Sequence, residues 1–177
     1  MIHYIRNGNV STNSITKVQE YLLKLPMSVL KTFSDNEVSI YVTDKILKND
    51  VFINGLSCAE NNYIVIREKL KDNIPNISIK TLYHECAHLI DYYSNPESTK
   101  YYSEENSSFL SAWNCENKCF FELFQFKNTS DNNIDVVEAF AYLFSYYMSS
   151  KNKTTSIKNK CPLLWEQIEI FCKMSGL

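Results

Sequence analysis

The sequence predicts a protein of the α+β class, in which a helix and a small sheet precede a mainly helical carboxyl-terminal part. Two observations predict this class. Short β-branched segments lie before residue 78, and from there onward the pattern is mostly helical. Strands and helices that occupy separate parts of a chain are typical of α+β folds rather than of a doubly wound sheet. A length of 177 residues suits one domain over 1–177.

The amino-terminal part is predicted to contain one helical segment and three strands. Residues 13–33 have a helical pattern, which Pro26 breaks or kinks because proline lacks an amide proton. "VSIYVT" (38–43) alternates and is rich in β-branched residues, which favours a strand. "DVFING" (50–55) and "NYIVIRE" (62–68) are the other two predicted strands, with Gly55 at a turn between them.

A helix is predicted from about 78 to 94, around the segment "TLYHECAHLID". Proline and asparagine precede this stretch and "SNP" follows it, which are start and stop signals. At about 100° per residue, His84, His88 and Asp91 share one side, with Glu85 at its edge. The apolar side chains fall on the opposite side, the predicted core face: Ile79, Leu82, Tyr83, Cys86, Leu89, Ile90 and Tyr93.

The spacing of the two histidines is typical of a catalytic zinc site. Neutral imidazoles at i and i+4 bind one Zn²⁺ without unwinding the helix, so His84 and His88 are predicted ligands. Glu85 reaches a water molecule at the metal but not the metal itself, and is the predicted general base. The chain has only three histidines, so this pattern is improbable by chance. Two structural histidines are the alternative.

Asp91, three residues after the second histidine, has two interpretations. As an acceptor it could orient a ligand imidazole from outside the metal's own ligand set. The alternative is a solvated charge near the helix end.

The third zinc ligand is predicted to be a carboxylate, because the remaining histidine lies far away near the amino terminus. On a helix over 134–148, Glu138 lies opposite the apolar face, on the same side as Tyr142. In a helical projection of "CFFELFQF", the segment that contains Glu122, the polar residues form no clean polar side. The alternative for Glu138 is a capping box, in which Asp135 is the N-cap and Glu138 bonds back to it.

Two of these segments resemble a known family. "TLYHECAHLID" looks like the HExxHxxD helix of the anthrax lethal factor and Pro-Pro endopeptidase family of zinc peptidases. "EAFAYLF" looks like that family's second helix, whose first glutamate is the third zinc ligand. The resemblance implies a zincin-like domain of the gluzincin type, with ligands His84, His88 and Glu138 and the base Glu85. It also implies an extended protein or peptide substrate along an edge strand in the "NYIVIRE" region.

The chain departs from the family pattern at two positions. The family's catalytic tyrosine, seven residues before the ligand glutamate, is Asp131 here. Tyr142, Tyr101 and Tyr102 are therefore the candidates for stabilising the oxyanion. The family's glycine before the second histidine is Ala87 here. Two other functions stay open: a repressor-cleaving zinc peptidase of mobile elements, and a catalytically silent interaction domain of the same fold.

Composition argues against several function classes. The net charge is −2 and no basic patch is present, which argues against nucleic acid as a partner. The apolar runs are too short to span a membrane, and the amino terminus lacks the apolar core of a signal peptide. The protein is therefore expected to be cytoplasmic or exported by a leaderless route. It is also expected to be a monomer. Six cysteines without a CxxC pair predict reduced, mostly buried thiols.

Overall fold

A computed structural model describes residues 1–48, 51–71, 74–126, 134–149 and 151–176. It has the predicted mixed α+β character. The strands of these ranges are β1 (His3–Asn7), β2 (Ser39–Thr43), β3 (Leu47–Lys48), β4 (Val51–Phe52), β5 (Gly55–Cys58), β6 (Tyr63–Arg67), β7 (Lys69–Lys71) and β8 (Ile74–Asn76). The helices are α1 (Thr12–Leu22), α2 (Met27–Asp35), α3 (Ile79–Tyr93), α4 (Tyr102–Glu105), α5 (Ser107–Phe124), α6 (Val136–Ser149), α7 (Lys151–Lys160) and α8 (Pro162–Met174).

The main sheet has the strand order β1-β2-β6-β5. The first three strands are parallel, and β5 runs antiparallel to β6. Alternate residues of β2 and β6 are fully buried, namely Ile40, Val42, Ile64 and Ile66. Among the described residues β5 pairs on one side only, so it forms the edge of the sheet that lies against α3.

Two of the three predicted strands are confirmed, at β2 and β6. The prediction of one strand over 50–55 is right only in part. The described residues of that segment form the two-residue β4, which pairs with β3 in a small hairpin, and Gly55 is already the first residue of β5. The predicted edge position of "NYIVIRE" is wrong. This segment forms β6, which is hydrogen-bonded to β2 on one side and to β5 on the other. Pairing order depends on tertiary packing, so the pattern of one strand does not reveal it.

Gly55 begins β5 instead of lying in a turn. A Cβ at this position would lie 2.6 Å from Oε1 of Glu85 and 2.8 Å from Cγ2 of Thr81. Glycine therefore allows the strand backbone to pass close to α3. This close approach brings the edge strand to the predicted site.

The predicted helices are confirmed, with small shifts of their ends. The segment 13–33 divides into α1 and α2, and Pro26 is the residue that precedes α2. Ser78 caps α3, because its hydroxyl accepts the amide of Thr81 at 3.2 Å. None of the helices in the described ranges is long and apolar enough to cross a bilayer.

The core face of α3 also agrees with the prediction. Its buried residues are Leu82, Tyr83, Cys86, Leu89 and Ile90, with Ile79 and Tyr93 half-buried. This helix packs more extensively against α6 than against any other element. All six cysteines are free thiols here; Cys86, Cys161 and Cys172 are buried, whereas Cys115 and Cys119 are exposed on α5.

Candidate metal centre

The packing of α3 against α6 brings the three predicted metal ligands together. The Nε2 atoms of His84 and His88 lie 3.3 Å apart. Glu138, in the first turn of α6, places Oε2 3.3 Å from Nε2 of His84 and Oε1 3.5 Å from Nε2 of His88. Two imidazoles and one carboxylate thus converge on one point, as a group that can hold a metal ion.

The spacing of these donors fits a zinc ion. Zinc binds nitrogen and oxygen ligands at about 2.0–2.2 Å with tetrahedral geometry, which places neighbouring donors about 3.3–3.6 Å apart. The three separations, 3.3, 3.3 and 3.5 Å, agree with that geometry. Two imidazoles and one carboxylate also leave a fourth position for water or substrate, as in catalytic zinc sites.

The charge states of the group favour metal binding. Burial lowers the pKa of His88 to about 4, so its imidazole is neutral near pH 7 and keeps a free lone pair. Burial opposes ionisation of Glu138, but the hydrogen bond from His84 and the two nearby imidazoles together lower the pKa of Glu138. The Glu138 carboxylate is therefore ionised at a pH where the His88 imidazole is neutral.

Glu85 lies beside this group and faces the sheet. It is only 7% exposed, and its Oε2 accepts a hydrogen bond from the hydroxyl of Ser57 at 2.8 Å. Burial raises the pKa of Glu85, while His84 and the Ser57 hydroxyl oppose that rise. Sequence reasoning missed Ser57, because a serine on an unpredicted edge strand carries no recognisable motif.

The capping-box alternative for Glu138 is half right. Asp135 does cap α6, since its Oδ1 accepts the amides of Val137 and Glu138, each at 3.0 Å. The carboxylate of Glu138 faces the two histidines instead of bonding back to the cap. Glu122 is exposed on α5 and does not belong to the metal-binding group found in the described part of the chain.

Asp91 is fully buried, so the solvated-charge alternative is wrong. Its Oδ1 accepts the amide of Ser103 at 2.8 Å, and its Oδ2 accepts the Ser103 hydroxyl at 2.6 Å. Burial raises the pKa of Asp91 to about 7, against the effect of these hydrogen bonds. Its carboxylate thus joins the end of α3 to α4; the orientation of an imidazole by Asp91 stays a prediction.

The three candidate tyrosines occupy different places. Tyr142 packs edge-on against the His84 ring, with centroids 4.7 Å apart. Tyr101 faces the His88 ring, with centroids 6.5 Å apart. Tyr102 packs instead among phenylalanines of α6 and α8. Asp131, at the family's tyrosine position, lies outside the described residues.

A cleft of about 610 Å³ opens above the metal-binding group. The edge strand β5 forms one wall, and Tyr101, Tyr142 and Lys48 also contribute to its lining. A larger depression of about 760 Å³ lies at the carboxyl ends of the parallel strands. Its lining has no histidine, and Glu68 within it accepts the Ser11 amide at 2.9 Å. The cleft with the metal-binding group is therefore the candidate functional site.

Comparison with known proteins supports the fold. No protein-family model matches the chain, and no curated protein matches it. Among solved structures, the chain is similar to a Pro-Pro endopeptidase from Paenibacillus alvei, with a TM-score of 0.66. The match covers 95% of this chain and 96% of that chain, at 16% sequence identity. At this identity the likeness shows the fold alone.

Proposed function

We propose that this protein is a zinc-dependent endopeptidase of the gluzincin type, built on a zincin-like fold. The observation that carries the proposal is the spacing of His84, His88 and Glu138, which suits one tetrahedral ion. The buried carboxylate of Glu85 lies next to this group, in a cleft bordered by a sheet edge. The fold shared with an endopeptidase agrees with this chemistry.

The metal would be held by His84, His88 and Glu138. Bound there, Zn²⁺ supplies Lewis acidity, which lowers the pKa of a coordinated water and polarises a carbonyl. The protein contributes a rigid platform, because the three donors come from two helices that pack closely against each other. The neutral state of His88 leaves its donor nitrogen free for this role.

Glu85 is the general base of the proposed mechanism. It accepts a proton from the attacking water and then passes it to the leaving amine. Burial raises the pKa of Glu85, which makes its carboxylate a stronger base toward the proton of the attacking water. The hydrogen bond from Ser57 fixes one of its oxygens against β5.

The proposed substrate is a protein or peptide in extended conformation. The free side of β5 presents backbone groups to which an extended chain can add as a further strand. Leu56 and Ser57 of this strand line the same cleft as the metal-binding group. A peptide paired with β5 would therefore pass over the catalytic residues.

The test compares cleavage-site profiles of the wild type, Glu85→Gln and Glu122→Gln on a mixed peptide pool. Glu85→Gln should keep its zinc, since this side chain is not a ligand, and lose about 10² or more in activity. Glu122→Gln is the matched control and should behave as the wild type, because Glu122 is exposed outside the cleft.

Two results would contradict the proposal. A Glu85→Gln protein as active as the wild type would exclude Glu85 as the base. A zinc-loaded wild type that cleaves no peptide would favour the silent interaction domain instead.

A further inference from the structure

Two tyrosines flank the histidine pair from different ends. Tyr142 lies against His84, and Tyr101 faces His88. Within the described residues, neither hydroxyl has a hydrogen-bond partner, whereas the buried Tyr83 hydroxyl donates to a backbone carbonyl at 3.0 Å. The cleft therefore contains two phenol groups that are free to donate to a substrate.

The two tyrosines differ in their position relative to the base. Tyr142, His84 and Glu85 share the wall of one depression near the start of α3. Burial, and then the charges of Glu138 and Glu85, raise the pKa of Tyr142. Tyr142 is thus on the same side of the histidine pair as the base.

Tyr101 lies at the other end of the histidine pair. Burial and the nearby carboxyl of Asp91 raise the pKa of Tyr101. Tyr101 does not line the depression that Tyr142 and Glu85 share. Glu104 of α4, which accepts the Tyr101 amide, lines the same cleft as Tyr101. A substrate carbonyl above the metal-binding group would therefore have Glu85 on one side and Tyr101 on the other.

Peptide hydrolysis needs a base and a hydrogen-bond donor at two different places. Water adds to the carbonyl carbon from the side of the base, and the carbonyl oxygen gains negative charge away from it. A donor aimed at that oxygen stabilises the transition state, and one such donor is typically worth about 10²–10³ in kcat. A donor on the side of the base is poorly placed for this, because the carbonyl oxygen develops its charge away from that side.

We infer that the Tyr101 hydroxyl is the donor to this oxyanion, and that Tyr142 is not. The inference rests on the proposed peptidase function. When water adds, the carbonyl π electrons move to oxygen and the Tyr101 O–H donates to it. When the carbon–nitrogen bond breaks, the carbonyl re-forms and Tyr101 keeps its proton.

The backbone around Tyr101 is firmly held, as a catalytic donor requires. Its amide donates to Oε2 of Glu104 at 3.1 Å, which closes the first turn of α4. Its ring packs against Tyr92 of α3, with centroids 5.6 Å apart. Two residues later, Ser103 is joined to the buried Asp91 by two hydrogen bonds. These contacts fix α4 against the helix that carries the histidines.

The packing of Tyr142 already explains its presence. Its ring lies within an aromatic cluster, at centroid distances of 6.4 Å from Phe120, 5.7 Å from Phe124 and 5.0 Å from Phe126. We therefore assign Tyr142 to the wall behind His84.

The experiment compares Tyr101→Phe with Tyr142→Phe, each of which removes only a hydroxyl. Tyr101→Phe should lower kcat by about 10²–10³ while KM stays within a few-fold of the wild type, because the donor acts in the transition state. Tyr142→Phe should stay within about fivefold of the wild type, since no reacting atom loses a donor. Both variants should keep the wild-type zinc content.

A binding measurement provides a second readout that does not depend on turnover. A phosphinic peptide imitates the tetrahedral transition state, so calorimetry should show its affinity for Tyr101→Phe falling in proportion to kcat/KM. Wild-type kcat and wild-type phosphinic-peptide affinity in Tyr101→Phe would overturn the inference, as would a loss confined to Tyr142→Phe. If the wild type itself cleaves no peptide, the proposed function fails together with this inference.

Discussion

Two buried carboxylates outside the cleft, Asp91 and Glu116, differ from the two carboxylates of the cleft in how completely they are hydrogen-bonded. Outside the cleft, Asp91 accepts two donors from Ser103, and Glu116 accepts the amides of Leu163 and Leu164 at 3.1 and 2.9 Å. In the cleft, Glu85 has one hydroxyl partner, and the oxygens of Glu138 face two imidazoles. Outside the cleft each carboxylate accepts two backbone or hydroxyl donors, whereas the cleft carboxylates do not.

This difference separates structural from functional carboxylates. Buried polar groups in native proteins normally have hydrogen-bond partners. A buried carboxylate that accepts two backbone or hydroxyl donors therefore needs no role beyond stabilising the fold. A carboxylate that faces imidazoles, or keeps an oxygen free in a cleft, retains capacity for a metal or a proton. Violations of the normal pattern are expected at functional sites.

The largest stability effect should come from Asp91→Ala. Removing the carboxylate leaves the buried amide and hydroxyl of Ser103 without an acceptor, at a cost of about 2–3 kcal/mol in the free energy of unfolding. Glu85→Gln is the contrasting variant and should change that free energy by less than about 1 kcal/mol, since the amide retains shape and an acceptor. Denaturant unfolding measures both changes. Equal losses of unfolding free energy in the two variants would contradict the difference between structural and functional carboxylates.

The same carboxyl should make stability depend on pH. The pKa of Asp91 is about 7 in the fold against 3.8 for the free side chain, so the folded state binds more protons between these values. Its contribution to the free energy of unfolding is therefore complete below about pH 4 and is lost as pH rises toward 7. In Asp91→Asn the free energy of unfolding should lack this dependence on pH. A pH dependence equal to that of the wild type would contradict the raised pKa.

A smaller effect, on activity alone, is expected from Ser57→Ala. The change removes the hydroxyl that fixes Glu85 and should lower kcat/KM about tenfold, which is about 1.4 kcal/mol and typical of one hydrogen bond to a charged group. Ser57→Thr keeps a hydroxyl and should recover most of the loss. Zinc content and unfolding should not change. Full activity in Ser57→Ala would show that Glu85 needs no support from β5.

The two helices that carry the site were predictable from the sequence. Long periodic segments show which side is apolar, and in each of them the candidate ligands lie opposite that side. His84 and His88 are one turn apart on α3, so local geometry alone brings them together. Glu138 needed one further inference, that the polar side of α6 faces α3.

The contacts around the site were not predictable in the same way. Strand β5 is short, begins with glycine and is half-buried at every position, so it shows no alternation. The partners of Asp91 and Glu116 lie 12 and about 47 residues away along the chain, and only tertiary packing brings them into contact. The order of strands in the sheet, which makes β5 the edge, has the same origin.

The central claim is that Glu138 completes a zinc site with His84 and His88. The most direct test is the zinc content of the wild type, Glu138→Ala and Glu122→Ala after mild dialysis, with circular dichroism to verify folding. The wild type and Glu122→Ala should each hold about one zinc per chain, as three ligands and an open position require. Glu138→Ala should stay folded and bind zinc more than about 10² times more weakly, because even outer partners of metal ligands are worth about 10–100-fold. A folded wild type that binds no added zinc, or a Glu122→Ala protein that loses the metal while Glu138→Ala keeps it, would contradict the claim.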